Sequence, residues 1–195
     1  MPALIDAAGR RRELIDAAWR VAGDEGLGAT TVRRVALAAK LSPSAVQRSF
    51  PTHAALHRLL AGEVVRRNRA DMQATHGSTP ADALMALLPT TPPRREVLTL
   101  ATQMRHSAHI LSEYPVAAAQ VRAHLLSFCE HQFRQSAGLG PTANLNGISG
   151  MAAVRLQVVF DGLTTTLLED TTVTGAPDFT LIRGLLLRAL PPGRS

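Results

Sequence analysis

The 195-residue chain contains little cysteine and no long uninterrupted apolar run. Its single cysteine, Cys129, excludes an internal disulfide framework. Charged residues such as Arg155, Asp161 and Arg183 interrupt the most apolar stretches, so no run reaches the roughly 18 residues needed to cross a bilayer. The short apolar start precedes the arginines at 10–12, which is the reverse of the order in a secretory signal. We expect a cytoplasmic protein without a membrane partner.

The sequence also lacks the common enzyme motifs. It has no glycine-rich phosphate loop, no HExxH and no nucleophile elbow, and the pair Asp24 and Glu25 is too small a carboxylate cluster for nuclease chemistry. His124 and His131 lie one heptad apart while Cys129 points elsewhere, so spacing alone builds no tight metal site. We therefore expect no catalysis, no cofactor and no metal, and a small helical enzyme stays an alternative.

Positive charge is concentrated in the first third of the chain. Residues 1–69 hold twelve Lys or Arg against six Asp or Glu, whereas residues 70–195 hold nine against nine. The formal net charge of +6 therefore belongs to the N-terminal segment. Such a segment can neutralise phosphates and release their counterions, which predicts a nucleic-acid partner for this part of the protein alone.

Apolar residues follow helical spacing almost everywhere, and no convincing period-two strand is present. With 46% hydrophobic and 18% charged residues, the composition is that of a folded globular chain. Glycine and proline divide the chain into segments, which predicts an all-α fold of about nine helices. The expected helices begin at residue 3 or 10 and end at 24, then cover residues 32–39, 43–50, 53–76, 81–88, 94–112, 115–137, 148–170 and 178–190.

The first three helices have the pattern of a helix-turn-helix. Thr30 or Thr31 is expected to cap the second helix, and Ser42 the third, with proline at the first helical position where its missing N–H costs nothing. The third helix is short and polar, and Val46 and Phe50 are expected to anchor it inward. A short polar helix presented beside many arginines is how such a motif meets DNA. A plain helical bundle with a solvated arginine face is the alternative.

Particular side chains suit particular parts of a duplex. Gln47 suits the N6 and N7 edge of adenine and Arg48 the O6 and N7 edge of guanine, while Arg33 can reach a phosphate or a base. The free N–H groups at the helix starts near Thr31 and His53 suit phosphate oxygens. Six residues of the third helix are predicted to enter the major groove of double-stranded DNA: Pro43, Ser44, Ala45, Gln47, Arg48 and Ser49.

The last two helices are apolar around most of their circumference. A terminal helix of that kind is central in a large protein or covered by a partner, and this chain is too small for the first. The pattern predicts a homodimer through a two-fold four-helix interface, unless a loop or the N-terminus covers these residues. The expected interface comprises Leu156, Val159, Phe160, Leu163, Leu167, Ile182, Leu185 and Leu186.

About 50 residues of the chain resemble the TetR family of bacterial transcriptional regulators. The resemblance implies a helix-turn-helix DNA-binding domain at 1–52 and a helical effector-binding and dimerisation domain at 53–195, joined through the fourth helix. It implies a repressor that binds a pseudo-palindromic operator as a homodimer and is released by a small molecule. The matching positions are Arg11, Arg12, Ile15, Ala17, Ala18, Gly26, Thr30, Thr31, Val35, Ala36, Ala39, Ser42, Phe50, Pro51 and Leu56.

Three positions depart from the family pattern. Lys40 replaces a usual glycine in the turn and can add a phosphate contact, Gln47 replaces a usual tyrosine, and His53 replaces a usual lysine. These departures concern the operator sequence and leave the class unchanged. A DNA-binding regulator without an effector is the alternative. If the body follows the resemblance, its apolar pocket is lined by Met72, Met85, Met104, His109, Phe128 and Gln132.

Overall fold

The computed structural model describes residues 2–107, 112, 114–140, 142–145, 147–169 and 178–191, with residues 2–8 and 148–149 described by their backbone alone. These residues form nine α-helices and no strand, which confirms the all-α prediction. His109 lies outside the described part of the chain. The helices are α1 (Pro2–Glu25), α2 (Val32–Ala39), α3 (Pro43–Ser49), α4 (His53–Ala74), α5 (Pro80–Ala86), α6 (Pro92–Ser107), α7 (Tyr114–Ser136), α8 (Ile148–Glu169) and α9 (Phe179–Ala189).

The predicted caps are confirmed at the helix starts. The Thr31 hydroxyl accepts a hydrogen bond from the Arg34 N–H at 3.3 Å, and the Ser42 hydroxyl accepts one from Ala45 at the same distance. Each hydroxyl satisfies an N–H that has no partner inside its own helix. A short 3₁₀ turn at Leu27–Ala29, which the sequence pattern did not indicate, connects α1 to α2.

The described chain divides into two compact units. The first comprises residues 1–66 and 99–119, and the second comprises residues 67–98 and 120–195. Helices α4, α6 and α7 each contribute residues to both units. In the first unit, α1 to α3 enclose Leu14, Val35, Val46 and Phe50, all of which are buried.

A side chain of α6 is hydrogen-bonded to the connection between α1 and α2. The Leu27 N–H donates to the Gln103 Oε1 at 3.0 Å, and Gly26 next to it has a φ of 86°. Glycine adopts this left-handed backbone without the steric penalty of a Cβ atom. The turn that ends α1 is therefore held by a residue 76 positions later in the chain.

The second unit has its own apolar core, built from α4, α5, α7, α8 and α9. Its largest fully buried side chains include Phe160, Leu84 and Leu156. A buried arginine, Arg94, sits at the start of α6 with 5% of its surface exposed. Its Nε donates to the Leu87 carbonyl at 2.7 Å, and its Nη1 donates to Asn68 Oδ1 at 3.0 Å and to Asp71 Oδ2 at 2.9 Å.

The structure places most of the expected dimer-interface residues inside the second unit. Leu156, Phe160, Leu167, Ile182 and Leu186 are buried in its core, so they are not available to a partner. Val159 and Leu163 are half-buried against that core, and Leu185 is exposed. A helix that is apolar all round has several faces that fit the same pattern, and the sequence does not indicate which one faces inward. The apolar residues that α8 and α9 do expose are Met151, Val154, Val158, Phe179, Leu181, Leu185 and Leu187.

Among the described helices, α8 alone has a segment long and apolar enough to match a membrane span by length and composition. The segment is Gly150–Glu169, with a mean hydropathy of 1.2. One such helix is weak evidence, because the core helix of a soluble protein passes the same test. Leu156 and Phe160 of α8 are buried in the protein core, and Arg155 and Asp161 interrupt the segment.

Cys129 is fully buried, and its burial predicts an unreactive thiol. Desolvation, with smaller contributions from the carboxylates of Asp161 and Glu130, raises its pKa to about 12. Because the thiolate is the reactive form, this burial leaves the thiol almost entirely unreactive at pH 8. We expect Ellman's reagent to label no thiol in the folded protein at pH 8 and one equivalent in denaturant. Rapid labelling of the folded protein would contradict this burial.

Candidate nucleic-acid interface and ligand cavity

Helix α3 presents a continuous polar face. Pro43, Ser44, Gln47 and Arg48 are exposed, while Val46 on the opposite side is fully buried. Positions 43 and 47 and positions 44 and 48 are each one helical turn apart, so the four side chains share one surface. Ala45 and Ser49 are half-buried at its edges. The structure therefore brings together the six α3 residues chosen from the sequence.

The arginines of the first unit differ in whether their guanidinium groups already have a partner within the chain. Arg34 lies beside Glu25, to which its Nε donates at 2.9 Å, and a second contact joins its Nη2 to the same carboxylate. This hydrogen-bonded pair raises the pKa of Arg34. Arg33 and Arg48 are exposed and form no hydrogen bond or ion pair with any described residue. Their guanidinium groups are available to a ligand, whereas that of Arg34 is already occupied.

Lys40 forms the turn between α2 and α3 in a left-handed conformation, with φ 55° and ψ 40°. The Leu41 N–H donates to the Ala36 carbonyl at 2.9 Å, and the Lys40 N–H donates to the Leu37 carbonyl at 3.1 Å. These two bonds make a Schellman motif, which usually has glycine at this position. The turn therefore has the shape expected for glycine, with an exposed lysine in its place.

We expect Lys40→Gly to stabilise the protein and Lys40→Ala to leave stability nearly unchanged. A residue with a Cβ costs about 1–2 kcal/mol in this backbone region, and glycine returns part of that through greater freedom in the unfolded chain. Both substitutions remove the same charge, so a difference between them reports the backbone alone. Thermal unfolding measures it, and equal melting temperatures for the two variants would refute the strain.

The starts of α2 and α4 leave backbone N–H groups available. Thr31 uses the Arg34 N–H, and Thr52 accepts the Ala55 N–H at 3.0 Å. The first N–H groups of each helix have no intrahelical partner and suit phosphate oxygens.

His53, at the start of α4, belongs to a chain of hydrogen-bonded side chains. Its Nε2 lies 2.8 Å from the Nε2 of the fully buried His57, whose Nδ1 is hydrogen-bonded to the Tyr114 hydroxyl. Two facing ring nitrogens need one N–H and one lone pair between them, so only one of the two rings carries a proton there. The sequence marked His53 for a phosphate contact but gave no sign of this chain, which joins residues 57 positions apart.

Leu37 is a further residue that sequence reasoning missed. It is 69% exposed and lies one helical turn after Arg33 on the same face of α2. An apolar side chain there can pack against deoxyribose or a thymine methyl group. The apolar spacing of α2 predicts that a leucine faces the core, so the sequence did not suggest Leu37 as a contact residue.

The second unit contains a cavity of about 420 Å³. It is formed by the end of α4, the turn that follows it and the C-terminal half of α7. Its size is within the range of sites for drug-sized ligands. The lining residues are Arg69, Met72, Gln73, Thr75, His76, Gly77, Ser78, His124, Ser127, Phe128, His131, Gln132 and Gln135.

The structure brings together three of the six expected pocket residues. Met72, Phe128 and Gln132 line the cavity. Met85 instead packs against the apolar core of the second unit, and Met104 is buried in the first unit. The polar residues of the turn at 75–78 were not expected, because a loop sequence does not indicate which helix it faces. Among the described residues, no cluster of three or more metal-ligating side chains is present.

Comparison with known proteins agrees with this architecture. The sequence model of the bacterial regulatory proteins of the tetR family matches residues 14–59, which run from α1 into α4. No curated protein matches the chain significantly.

Several solved structures share the fold across almost the whole chain. A transcriptional regulator from Rhodococcus sp. is 22% identical with a TM-score of 0.71, covering 91% of this chain and 92% of that one. A TetR transcription regulator from Haloarcula marismortui is 16% identical with a TM-score of 0.72, covering 93% and 96%.

The multidrug binding protein EbrR, solved with malachite green, is 20% identical with a TM-score of 0.67 and covers 93% of this chain and 98% of its own. All three likenesses concern the fold. Residues 14–59 match the tetR-family sequence model, and the described chain shares the all-helical fold of solved transcriptional regulators that include TetR-family members.

Proposed function

We propose that the protein is a transcriptional repressor that binds a pseudo-palindromic DNA operator as a homodimer and is released by a small-molecule ligand. The proposal is carried by the exposed face of α3, where Gln47 and Arg48 lie beside Pro43 and Ser44. The Arg48 guanidinium forms no hydrogen bond or ion pair with any described residue. That face carries side chains that suit base edges. It belongs to the N-terminal third of the chain, which holds the formal net charge of +6.

In this proposal residues 1–52 form the DNA-binding domain, and α3 lies in the major groove. Arg33, Lys40 and the helix starts at Thr31 and His53 contact phosphates and fix the orientation of α3. Two heads of a symmetric dimer then occupy half-sites about 34–36 Å apart, or a multiple of that distance. The protein acts in the cytoplasm, where its operator lies, and performs no catalytic step.

The proposed dimer uses the exposed apolar residues of α8 and α9 in place of the buried ones first expected. Each leucine removed from water contributes about 1.5–3 kcal/mol, so several on each subunit favour association. A two-fold axis brings the same surface of both subunits together as a four-helix arrangement. Met151 at 72%, Val158 at 62% and Leu181 at 61% exposure are the positions most available to a partner.

Residues 53–195 are proposed to bind the ligand and to pair the subunits. Helix α4 carries His53 in its first turn and cavity residues Arg69, Met72 and Gln73 near its end. A ligand that prefers one position of α4 can change the separation of the two heads, because coupling requires different affinity for the two states. The dyes in the EbrR structures support a small-molecule effector for this fold.

Selection of binding sites from random duplexes tests the proposal. We expect the recovered sites to be inverted repeats bound by two chains, because a two-fold dimer reads the same sequence on both strands. Recovery of unrelated sequences, or no binding at low salt, would refute it.

A charged variant tests the dimer in the same assay. Leu181→Glu places a charge in the proposed interface, so we expect sedimentation as a single subunit and loss of binding to the full inverted repeat. Leu37→Glu, which changes an equally exposed leucine outside that interface, is the matched control for oligomeric state. If L181E sediments as a dimer, the interface lies elsewhere.

A further inference from the structure

We propose that the cavity of the second unit binds an organic anion that also carries an N–H or O–H donor and an apolar body. This inference rests on the proposed function only in taking the cavity as the effector site. The cavity is lined by one arginine and three histidines, Arg69, His76, His124 and His131. No aspartate or glutamate is among the described lining residues. A cationic ligand would therefore meet like charge without a carboxylate to pair with it.

The acidic residues that neighbour the lining in sequence are already paired. Asp71 accepts from the buried Arg94 at 2.9 Å, and Glu130 lies 3.5 Å from Arg134. Arg69 is exposed and has no ion pair with any residue the structure describes. Its guanidinium can therefore form the two parallel hydrogen bonds that carboxylates and sulfonates accept.

Two buried polar atoms of the lining have no hydrogen-bond partner. Gln132 is only 3% exposed, and its Oε1 is unpartnered, as is the Nδ1 of His124. An unpaired buried polar atom costs stability unless something else pairs with it. A ligand donor directed at Gln132 Oε1 supplies that partner. Gln132 therefore calls for an N–H or O–H group on the ligand, and Arg69 calls for an anion.

The lining is more polar than the sequence predicted, and its two large apolar side chains can hold the apolar part of a ligand. Met72 and Phe128 lie on the two helices that form the walls, and methionine adapts to ligands of irregular shape. The volume of about 420 Å³ accommodates a two-ring compound with its charged group.

The negative end of the α4 dipole favours a cation, but two of the last carbonyl groups of α4 already accept hydrogen bonds. The Thr75 hydroxyl donates to the Met72 carbonyl at 2.7 Å, and the His76 N–H donates to the Gln73 carbonyl at 3.2 Å. Capping of this kind satisfies the carbonyls that carry the partial charge. The full charge of Arg69 then determines the preference.

Fluorescence titration with three compounds tests the inference on the full-length protein. The probe 8-anilino-1-naphthalenesulfonate combines a sulfonate, an N–H donor and two apolar ring systems. N-phenyl-1-naphthylamine is the same compound without the sulfonate, and proflavin is a planar cation. We expect the sulfonate to bind about tenfold more tightly than its neutral analogue, as one charge-assisted bidentate contact allows, and proflavin to bind most weakly.

Arg69→Gln should remove that tenfold preference, whereas Arg122→Gln, which changes an exposed arginine of α7 outside the lining, should retain it. Gln132→Leu should weaken the sulfonate at least about threefold and raise the melting temperature of the ligand-free protein, since it removes an unpaired buried polar atom. The inference is overturned if proflavin binds more tightly than the sulfonate. Binding of the sulfonate that is unchanged in R69Q also overturns it, because the probe would then occupy an apolar surface elsewhere.

A separate measurement distinguishes this inference from the proposed function. Operator affinity is measured with and without the sulfonate probe. If the probe binds with the expected dependence on Arg69 but leaves operator affinity unchanged, the ligand class stands and release by ligand fails. If R69Q binds operator normally but still prefers the sulfonate over its neutral analogue, the proposed ligand class is wrong and the proposed regulatory function is unaffected.

Discussion

Replacing Arg94 with alanine is expected to lower the free energy of unfolding by about 3–5 kcal/mol, because each of two buried acceptors left without its donor costs about 1–3 kcal/mol and the packing of the side chain is lost as well. The guanidinium is 5% exposed, and burial lowers its pKa despite the opposing effect of Asp71. Its loss leaves the Leu87 carbonyl and the buried Asn68 amide oxygen without their donor. For a chain of this length the melting temperature should fall by roughly 6–20 °C.

A second ion pair in the same unit supplies the matched control. Arg183 on α9 contacts Asp82 on α5, and both side chains are about half exposed. The hydrogen bonds from Thr79 and then Arg183 lower the pKa of Asp82, but solvent screens an exposed pair and water replaces the lost contact. We expect Arg183→Ala to leave the melting temperature almost unchanged. An equal loss in R183A and R94A would show that burial does not determine the cost.

Arg48→Ala is expected to weaken binding to the selected operator by about 30-fold or more, because about 1–3 kcal/mol per bidentate base contact is lost in each of the two heads of the dimer. Binding to a scrambled duplex of the same length should change far less, because Arg48 stands on the α3 face that reads base edges. Titration of both duplexes at one salt concentration makes the measurement. Equal loss on both duplexes would remove Arg48 from base reading and assign it to phosphate.

Arg33→Ala should weaken binding to every duplex alike and reduce its salt dependence. Each lost phosphate contact lowers the slope of log K against log salt by about 0.9, and a dimer loses one in each head. Arg34→Ala is the control from the next position, because its guanidinium is already bound to Glu25. The assignment fails if R34A and R33A change the slope equally.

Much of the first unit follows from local sequence. A hydroxyl residue before a run of helical spacing predicted caps at Thr30 or Thr31 and at Ser42, and the structure has them at Thr31 and Ser42. The face of α3 follows from the same spacing, because Val46 and Phe50 turn inward and leave Gln47 and Arg48 exposed. These features depend on residues within one or two helical turns, which a sequence shows directly.

Features that depend on distant residues could not be predicted. The contact of His57 with Tyr114 and the cavity shared by the end of α4 and α7 join segments more than 45 positions apart. The burial of Arg94 has the same cause, since Asn68 and Asp71 precede it by more than 20 residues. For α8 and α9, local apolar spacing permits several inward faces, and only the rest of the core selects Phe160 over Val158.

The isolation of Cys129 has a practical consequence for spectroscopy. As the chain's single cysteine, shielded from solvent, it leaves the surface clear for a probe at one chosen point. Ser44→Cys on the exposed side of α3 then accepts a nitroxide without background. In a homodimer, electron–electron dipolar spectroscopy measures the distance between the two nitroxides. An effector that moves the two α3 helices apart increases this distance even in the absence of DNA.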